Sequence, residues 1–292
     1  MIGIFKDLSN EEYHADKESI SRSAIIEFKK SPYHYWSNYL NESRPERKST
    51  KAMDFGNAFH TFILEPDKFE DQFCLEPPYE PYPPLVLLKD VGREAYDKFK
   101  AEKIRIENKN YVMQEKFNSE ILELGKKPLS VIDFNQLKNM RDALQNYPKA
   151  WDLIQGAVYE QSYFWKDEGS GLIVKARPDI LHSNMIVDLK TCADASPRAF
   201  QRAMVDGGYH IQGAMIREAL RVLENREVST VINIAIEKTY PYSIGIYIID
   251  EYALEHGEAE FKAILIDLSN AIEYNTFESY PVQTISLPAW AV

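Results

Sequence analysis

Cysteine is almost missing from this chain: its 292 residues contain two, Cys74 and Cys192, far apart and without C-x-x-C spacing. That excludes a disulfide framework, a structural zinc knuckle and a four-cysteine iron–sulfur cluster, and it suits a reducing compartment. No run approaches the roughly 18 apolar residues of a membrane span. The opening Met1-Ile2-Gly3-Ile4-Phe5-Lys6-Asp7 lacks a secretion-signal pattern, so a soluble cytoplasmic protein with no membrane partner is expected. A G-x-x-x-x-G-K-[ST] loop is absent, which argues against an intrinsic ATP motor. Positive charge is also short: 34 Lys and Arg face 45 Asp and Glu, for a net charge of -11. Nucleic-acid coating needs broad Lys and Arg contacts to phosphate, so that role is disfavoured. A polymer held in one positive groove remains compatible, because carboxylates that hold cations add to the negative count. What the chain does have is 45% hydrophobic and 12% aromatic residues, enough for a core without staples.

The order of patterns suggests helices first and a sheet later. Ser19-Ile20-Ser21-Arg22-Ser23 reads as a helix start, and Pro32 opens a second helix through Leu40. Residues 41–51 carry Arg44, Arg47, Lys48 and Lys51 without an apolar period, a basic loop that is either simply solvated or phosphate-binding. Phe55, Phe59, Phe62 and Ile63 recur at helical spacing over 52–64, on a helix that also carries Gly56 and His60. The proline-rich segment 76–84 cannot sustain helix or central strand. Residues 90–154 read as helices broken near Pro128 and Pro148. From Ala157 the period becomes that of strands, over 158–165, 172–176 and 185–189, with turns between them. A helix that starts at Ser196-Pro197, a longer helix over 209–223, strands over 230–237 and 243–249, and a helix over 251–274 complete the chain. One α/β (α+β) domain over 1–292 is expected. It has a mainly helical layer over 1–155, a sheet-containing core over 156–275 and a tail over 276–292 that includes Trp290.

Chemistry concentrates in Arg177-Pro178-Asp179, a short turn, and Ile186-Val187-Asp188-Leu189-Lys190. The separation of Asp179 and Asp188 suits adjacent antiparallel strands, where both carboxylates face each other and serve one divalent cation. Lys190, two residues beyond Asp188, emerges on the same strand face. There its ammonium can orient or help deprotonate an attacking water and neutralise developing charge. The alternative is a same-face ion pair of Asp188 with Lys190, with Asp179 capping a turn. Arg198 and Arg202 share a helix face and Arg177 lies beside Asp179; these are either phosphate contacts or solvated surface.

These residues resemble the PD-(D/E)XK nuclease superfamily, with Pro178-Asp179 as its first element and Asp188-Leu189-Lys190 as its second. More narrowly, five stretches in order resemble the RecE-type exodeoxyribonuclease VIII group of phages and prophages. They are Gly56-Asn57-Ala58-Phe59-His60, Tyr159-Glu160-Gln161-Ser162, Lys175-Ala176-Arg177-Pro178-Asp179, Val187-Asp188-Leu189-Lys190-Thr191 and Tyr209-His210-Ile211-Gln212. The resemblance covers roughly residues 15 to 250.

That resemblance implies a central mixed sheet flanked by helices, with a helical N-terminal layer. It implies metal ligation by Asp179, Asp188, Glu160, His60 and the Leu189 backbone carbonyl, with Lys190 assisting catalysis and Tyr209 and Gln212 positioning DNA. Mg2+, probed alternatively by Mn2+, is the implied cofactor, as two ions. The implied activity is degradation of one strand of linear double-stranded DNA, 5′ to 3′, from its ends, leaving 3′ tails for recombination by strand annealing. A ring-shaped homo-oligomer and a RecT-like single-strand annealing partner follow from the same source. Rival readings are a RecB-like or structure-specific endonuclease, and a non-catalytic DNA-binding recombination scaffold.

Overall fold

The computed structural model describes residues 1–45 and 49–287. Arg47 and Lys48 of the basic loop, and Trp290 of the tail, lie outside the described residues. The chain forms two compact units, residues 1–50 with 143–292, and residues 51–142.

The first unit opens with β1 (Gly3–Phe5), α1 (Asn10–Ala15) and α2 (Arg22–Lys30). Ser9 and Glu12 start α1 with reciprocal side-chain to backbone bonds, and the Ser21 hydroxyl accepts the Ala24 amide at the start of α2. The serine run Ser19 to Ser23 thus supplies the cap, while Ala24, Ile25 and Phe28 enter the core. After Pro32, α3 (Pro32–Tyr35) widens into a π turn over Trp36–Leu40, closed by the Asn41 amide on the Trp36 carbonyl at 2.8 Å. The single regular helix expected to Leu40 is therefore two kinds of helix, a distinction that apolar spacing does not encode.

The second unit contains α4 (Lys51–Leu64), α5 (Pro66–Gln72), β2 (Phe73–Leu75), α6 (Leu88–Val91), α7 (Arg93–Leu124), β3 (Lys127–Leu129) and most of α8 (Val131–Gln145). Phe62, Phe69, Phe73 and Phe134 form its aromatic centre, with Phe62 and Phe69 ring centroids 4.9 Å apart. The proline-rich segment lies along α7. Glu80 accepts from Lys109 at 2.6 Å and pairs with Arg105, while its amide and carbonyl bond the Asn110 side chain.

The chain returns to the first unit through α9 (Pro148–Ile154) and then β4 (Val158–Tyr159), β5 (Ser162–Lys166), β6 (Ile173–Ala176), β7 (Ile180–Leu181) and β8 (Met185–Cys192). Helices α10 (Pro197–Gly207) and α11 (Tyr209–Glu224) lead to β9 (Thr230–Glu237), β10 (Ile244–Ile249) and α12 (Glu251–Glu273). Two sheets result, ordered β1-β5-β6 and β10-β9-β8-β7-β4. In the larger sheet β8 and β9 are parallel and every other pairing is antiparallel. A parallel pair needs a crossover connection, which α10 and α11 provide. Strand β9 is buried on both faces, as its near-continuous apolar run requires.

Helix α11 is buried along most of its length and packs closely on α12. A Cβ built on Gly257 of α12 would stand 2.8 Å from the His210 carbonyl oxygen, so only glycine permits this approach. The contact fixes the helix that carries Tyr209 and Gln212 behind β8. The mixed α/β architecture, a mixed sheet with helices packed on it, is the one the sequence implied.

Candidate active site

The two sheets exchange chain at two points, and an acidic residue sits at each. Strand β6 belongs to the small sheet and β7 to the large one, and Arg177-Pro178 bridges them. Proline has no amide proton to extend a ladder, so the chain leaves the first sheet there and delivers Asp179 at the start of β7. In the opposite sense, β4 of the large sheet passes to β5 of the small one through Glu160-Gln161. Glu160 has a φ of 50°, the left-handed region that costs a non-glycine residue on the order of 1 kcal/mol. The continuous strand expected over 158–165 is thus broken at Glu160, because an unbroken apolar run does not disclose a change of sheet.

Register aligns the acids. Ile180 pairs with Val187 and Leu181 with Ile186, so the same ladder carried one residue further sets Asp179 opposite Asp188. Tyr159 pairs with Ile180, and the Glu160 amide donates to the Asp179 carbonyl at 3.2 Å, setting Glu160 opposite Asp179. Glu160, Asp179 and Asp188 therefore occupy one row across β4, β7 and β8. The row continues into β9 at Asn233, a buried polar residue paired with Asp188.

Both aspartates are buried and held. Because β7 pairs over only two residues, the Leu189 amide of β8 finds the Asp179 carboxylate as acceptor, at 2.7 Å. An extended residue directs its N–H and C=O to the same edge, so the Leu189 carbonyl emerges beside Asp179. Asp188 Oδ1 accepts from Gln212 Nε2 at 2.8 Å, and Asp188 Oδ2 lies 2.5 Å from Lys190 Nζ. Lys190 Nζ also donates to Gln212 Oε1 at 3.3 Å, closing a triangle of carboxylate, ammonium and amide. Burial opposes the charge on Lys190, but the carboxylates of Asp188 and Asp179 outweigh it and hold the group above the usual lysine range. Lys190 is a cation at neutral pH.

Helix α11 supplies the other wall. Gly208, at φ 62°, caps it, Tyr209 is its first residue, and the Tyr209 ring centroid stands 4.9 Å from Lys190 Nζ. Gln212 follows one turn later, on the same helical face. Arg22 at the start of α2 also approaches Tyr209, with its guanidinium carbon 5.9 Å from that ring centroid, and donates to the Gly207 carbonyl. Nothing in the sequence distinguished Arg22 from a helix-start residue. Asn233 was likewise hidden in an apolar strand.

The other singled-out residues fall as follows. Arg177 Nε donates to Ser162 Oγ at 2.8 Å and Nη2 to the Leu8 carbonyl at 2.9 Å, with its guanidinium 4.2 Å from the Tyr13 ring centroid. Its fork ties the N-terminal segment to β5. Arg198 and Arg202 are exposed on α10. His60, in the second unit, lies half-buried on α4 edge-on to Phe59.

The donor set suits a hard divalent cation. Two buried carboxylates and a carbonyl offer oxygen only, and an amide bond to one oxygen of a carboxylate leaves further lone pairs for ligation. Among the described residues no helix is long and apolar enough to cross a membrane.

Comparison with known structures gives a crystal structure of a candidate exonuclease from Eubacterium rectale, 17% identical, covering 95% of this chain and 96% of that one with a TM-score of 0.57. At that identity the likeness speaks for the fold. The crystal structure of SSO0001 covers 76% of this chain and 86% of that one at 15% identity, with a TM-score of 0.29. No curated protein matches. Sheets that trade strands at an Arg-Pro-Asp step, and an Asp-Leu-Lys strand beside it, agree with a family model described as a PDDEXK-like domain of unknown function (DUF3799). That model matches residues 21–280, and the chain belongs to this family.

Proposed function

We propose that the protein is a divalent-metal-dependent exodeoxyribonuclease of the RecE type. It degrades one strand of linear duplex DNA 5′ to 3′ and leaves a 3′ single-stranded tail for strand annealing. The observation that carries the nuclease reading is the pairing of buried Asp179 and Asp188 across β7 and β8, with the Lys190 ammonium 2.5 Å from Asp188. Direction, end preference, a ring of subunits and a RecT-like partner rest on the resemblance of the five stretches.

Asp179, Asp188 and the Leu189 carbonyl would hold Mg2+, and the resemblance adds Glu160 and His60 as further ligands. A bound divalent ion supplies Lewis-acid polarisation of the phosphodiester and a more acidic water. The protein's own groups do the rest. Gln212 fixes one oxygen of Asp188 and the Leu189 amide fixes Asp179, so the carboxylates arrive without rotamer search. Lys190 Nζ presents positive charge where the phosphate gains negative charge on attack. From that position it would orient the attacking water or help deprotonate it. Tyr209 limits the swing of that ammonium.

The test is digestion of linear duplex labelled separately at its 5′ and 3′ ends, with Mg2+ or EDTA, using wild type, Lys190→Ala and a closed circular control. Early 5′-label release from linear DNA alone, lost in EDTA and in the variant, is the expected result. Circle cutting would make it an endonuclease, and no cleavage with any divalent metal would leave a DNA-binding scaffold.

A further inference from the structure

Two cations approach the Tyr209 ring and are treated differently. Lys190 is neutralised by Asp188. Arg22 is half-buried, one of its nitrogens donates to the Gly207 carbonyl, and among the described residues no carboxylate pairs with it. A guanidinium carries five N–H donors in a planar fork, and one carbonyl uses only a part of that capacity. A partly desolvated cation beside a second cation is costly without a counter-ion. It is the more notable in a chain where acidic residues outnumber basic ones by 45 to 34.

From this we infer that Arg22 binds a backbone phosphate adjoining the one Lys190 attends, and thereby sets which phosphodiester of the strand is cut. The inference rests on the nuclease reading above. Both cations lie within 6 Å of one ring centroid. Charges along a single strand recur about every 3.4 Å of rise, so one strand can engage both. The fork matches phosphate oxygens bidentately, and the first turn of α2 adds its amide dipoles in the same sense. Lys190 is engaged by Asp188 and Arg22 by the Gly207 carbonyl, so each cation is held at its own place beside the ring. The anchor on Gly207 fixes the fork before DNA arrives, which lowers the entropy lost on binding.

Two measurements test it. Anisotropy titrations of a short labelled duplex in EDTA over a range of NaCl give the salt slope of binding without turnover. Arg22→Ala and Arg22→Gln are expected to reduce that slope by about 0.9, the counterion release of one phosphate contact. Arg22→Gln retains a donor for the Gly207 carbonyl and so separates charge from anchor, while thermal melting confirms that each variant is folded. With Mg2+, one neutral methylphosphonate placed beside the scissile phosphate should slow wild type about tenfold, the effect of a charge-assisted hydrogen bond, and slow Arg22→Gln no further. An unchanged salt slope, or an equal methylphosphonate penalty in both proteins, overturns the role of Arg22 while cleavage by wild type upholds the nuclease. A wild type that neither binds nor cuts overturns both.

Discussion

Lys175 of β6 makes the packing of the N-terminal segment measurable. Its side chain is 3% exposed, donates to the Tyr13 carbonyl at 2.6 Å and to that of Asp16, and places its ammonium 4.7 Å from the Tyr13 ring centroid. Burial pulls its pKa from 10.5 to about 8, with Asp16 opposing the fall and Arg177 adding to it. In the unfolded chain the same amine keeps its proton to the ordinary value. Between those two values the unfolded chain binds more protons, so stability rises with pH across the window. One pKa unit corresponds to about 1.4 kcal/mol, and the titration integrates to about 2 kcal/mol gained between about pH 7.5 and about pH 9.5. Lys175→Met keeps the length of the side chain and removes the titration, while costing about 1–3 kcal/mol for carbonyls left without their donor. Guanidinium unfolding of both proteins at the two pH values, followed by circular dichroism, yields the difference with other titrations cancelled. Wild type should gain about 2 kcal/mol on the variant as pH rises; a difference that stays constant would refute burial of a charge at this position.

Gln212→Leu removes the amide that holds Asp188 and accepts from Lys190, and it should lower cleavage by roughly 10- to 100-fold with little loss of folding stability. Partial rescue by raised Mg2+ would locate the defect in metal affinity, and unaltered rates at limiting metal would remove Gln212 from the site. Gly257→Ala drives a methyl against the His210 carbonyl at 2.8 Å, and backbone cannot step aside as a side chain can. A cost of about 1–3 kcal/mol in urea unfolding is expected, together with reduced activity from the displaced α11. Arg177→Met, by cutting the ties to Leu8, Ser9 and Ser162, should speed proteolysis before residue 20 while leaving the core protected.

Much of the first unit was legible. Strand β9 and helices α11 and α12 follow the expected spans closely, because each is long enough for its period to show. The Asp179, Asp188 and Lys190 set could be read because residue spacing and strand geometry are linked through a short turn. Short elements escaped: β1 covers three residues and β4 and β7 two each, too few for any alternation. The pairing of β1 with β5 joins Ile4 to Tyr163, a contact that depends on the folded chain rather than on neighbours. Arg22 escaped for another reason. Its proposed role follows from the lack of a carboxylate partner among the described residues, and a sequence reports residues rather than pairings.

Glu160 and Asp179 each occupy a crossing between sheets, so the spacing of the carboxylates is tied to how the small sheet joins the large one. By mass action, a cation that requires the acids together stabilises that join, by about 2.7 kcal/mol at a concentration one hundredfold above its dissociation constant. The dependence is reciprocal: loosening β1 from β5, whose Ser162 end lies two residues from Glu160, should weaken the ion's hold. In this architecture the first strand of the chain would act on metal affinity through β5.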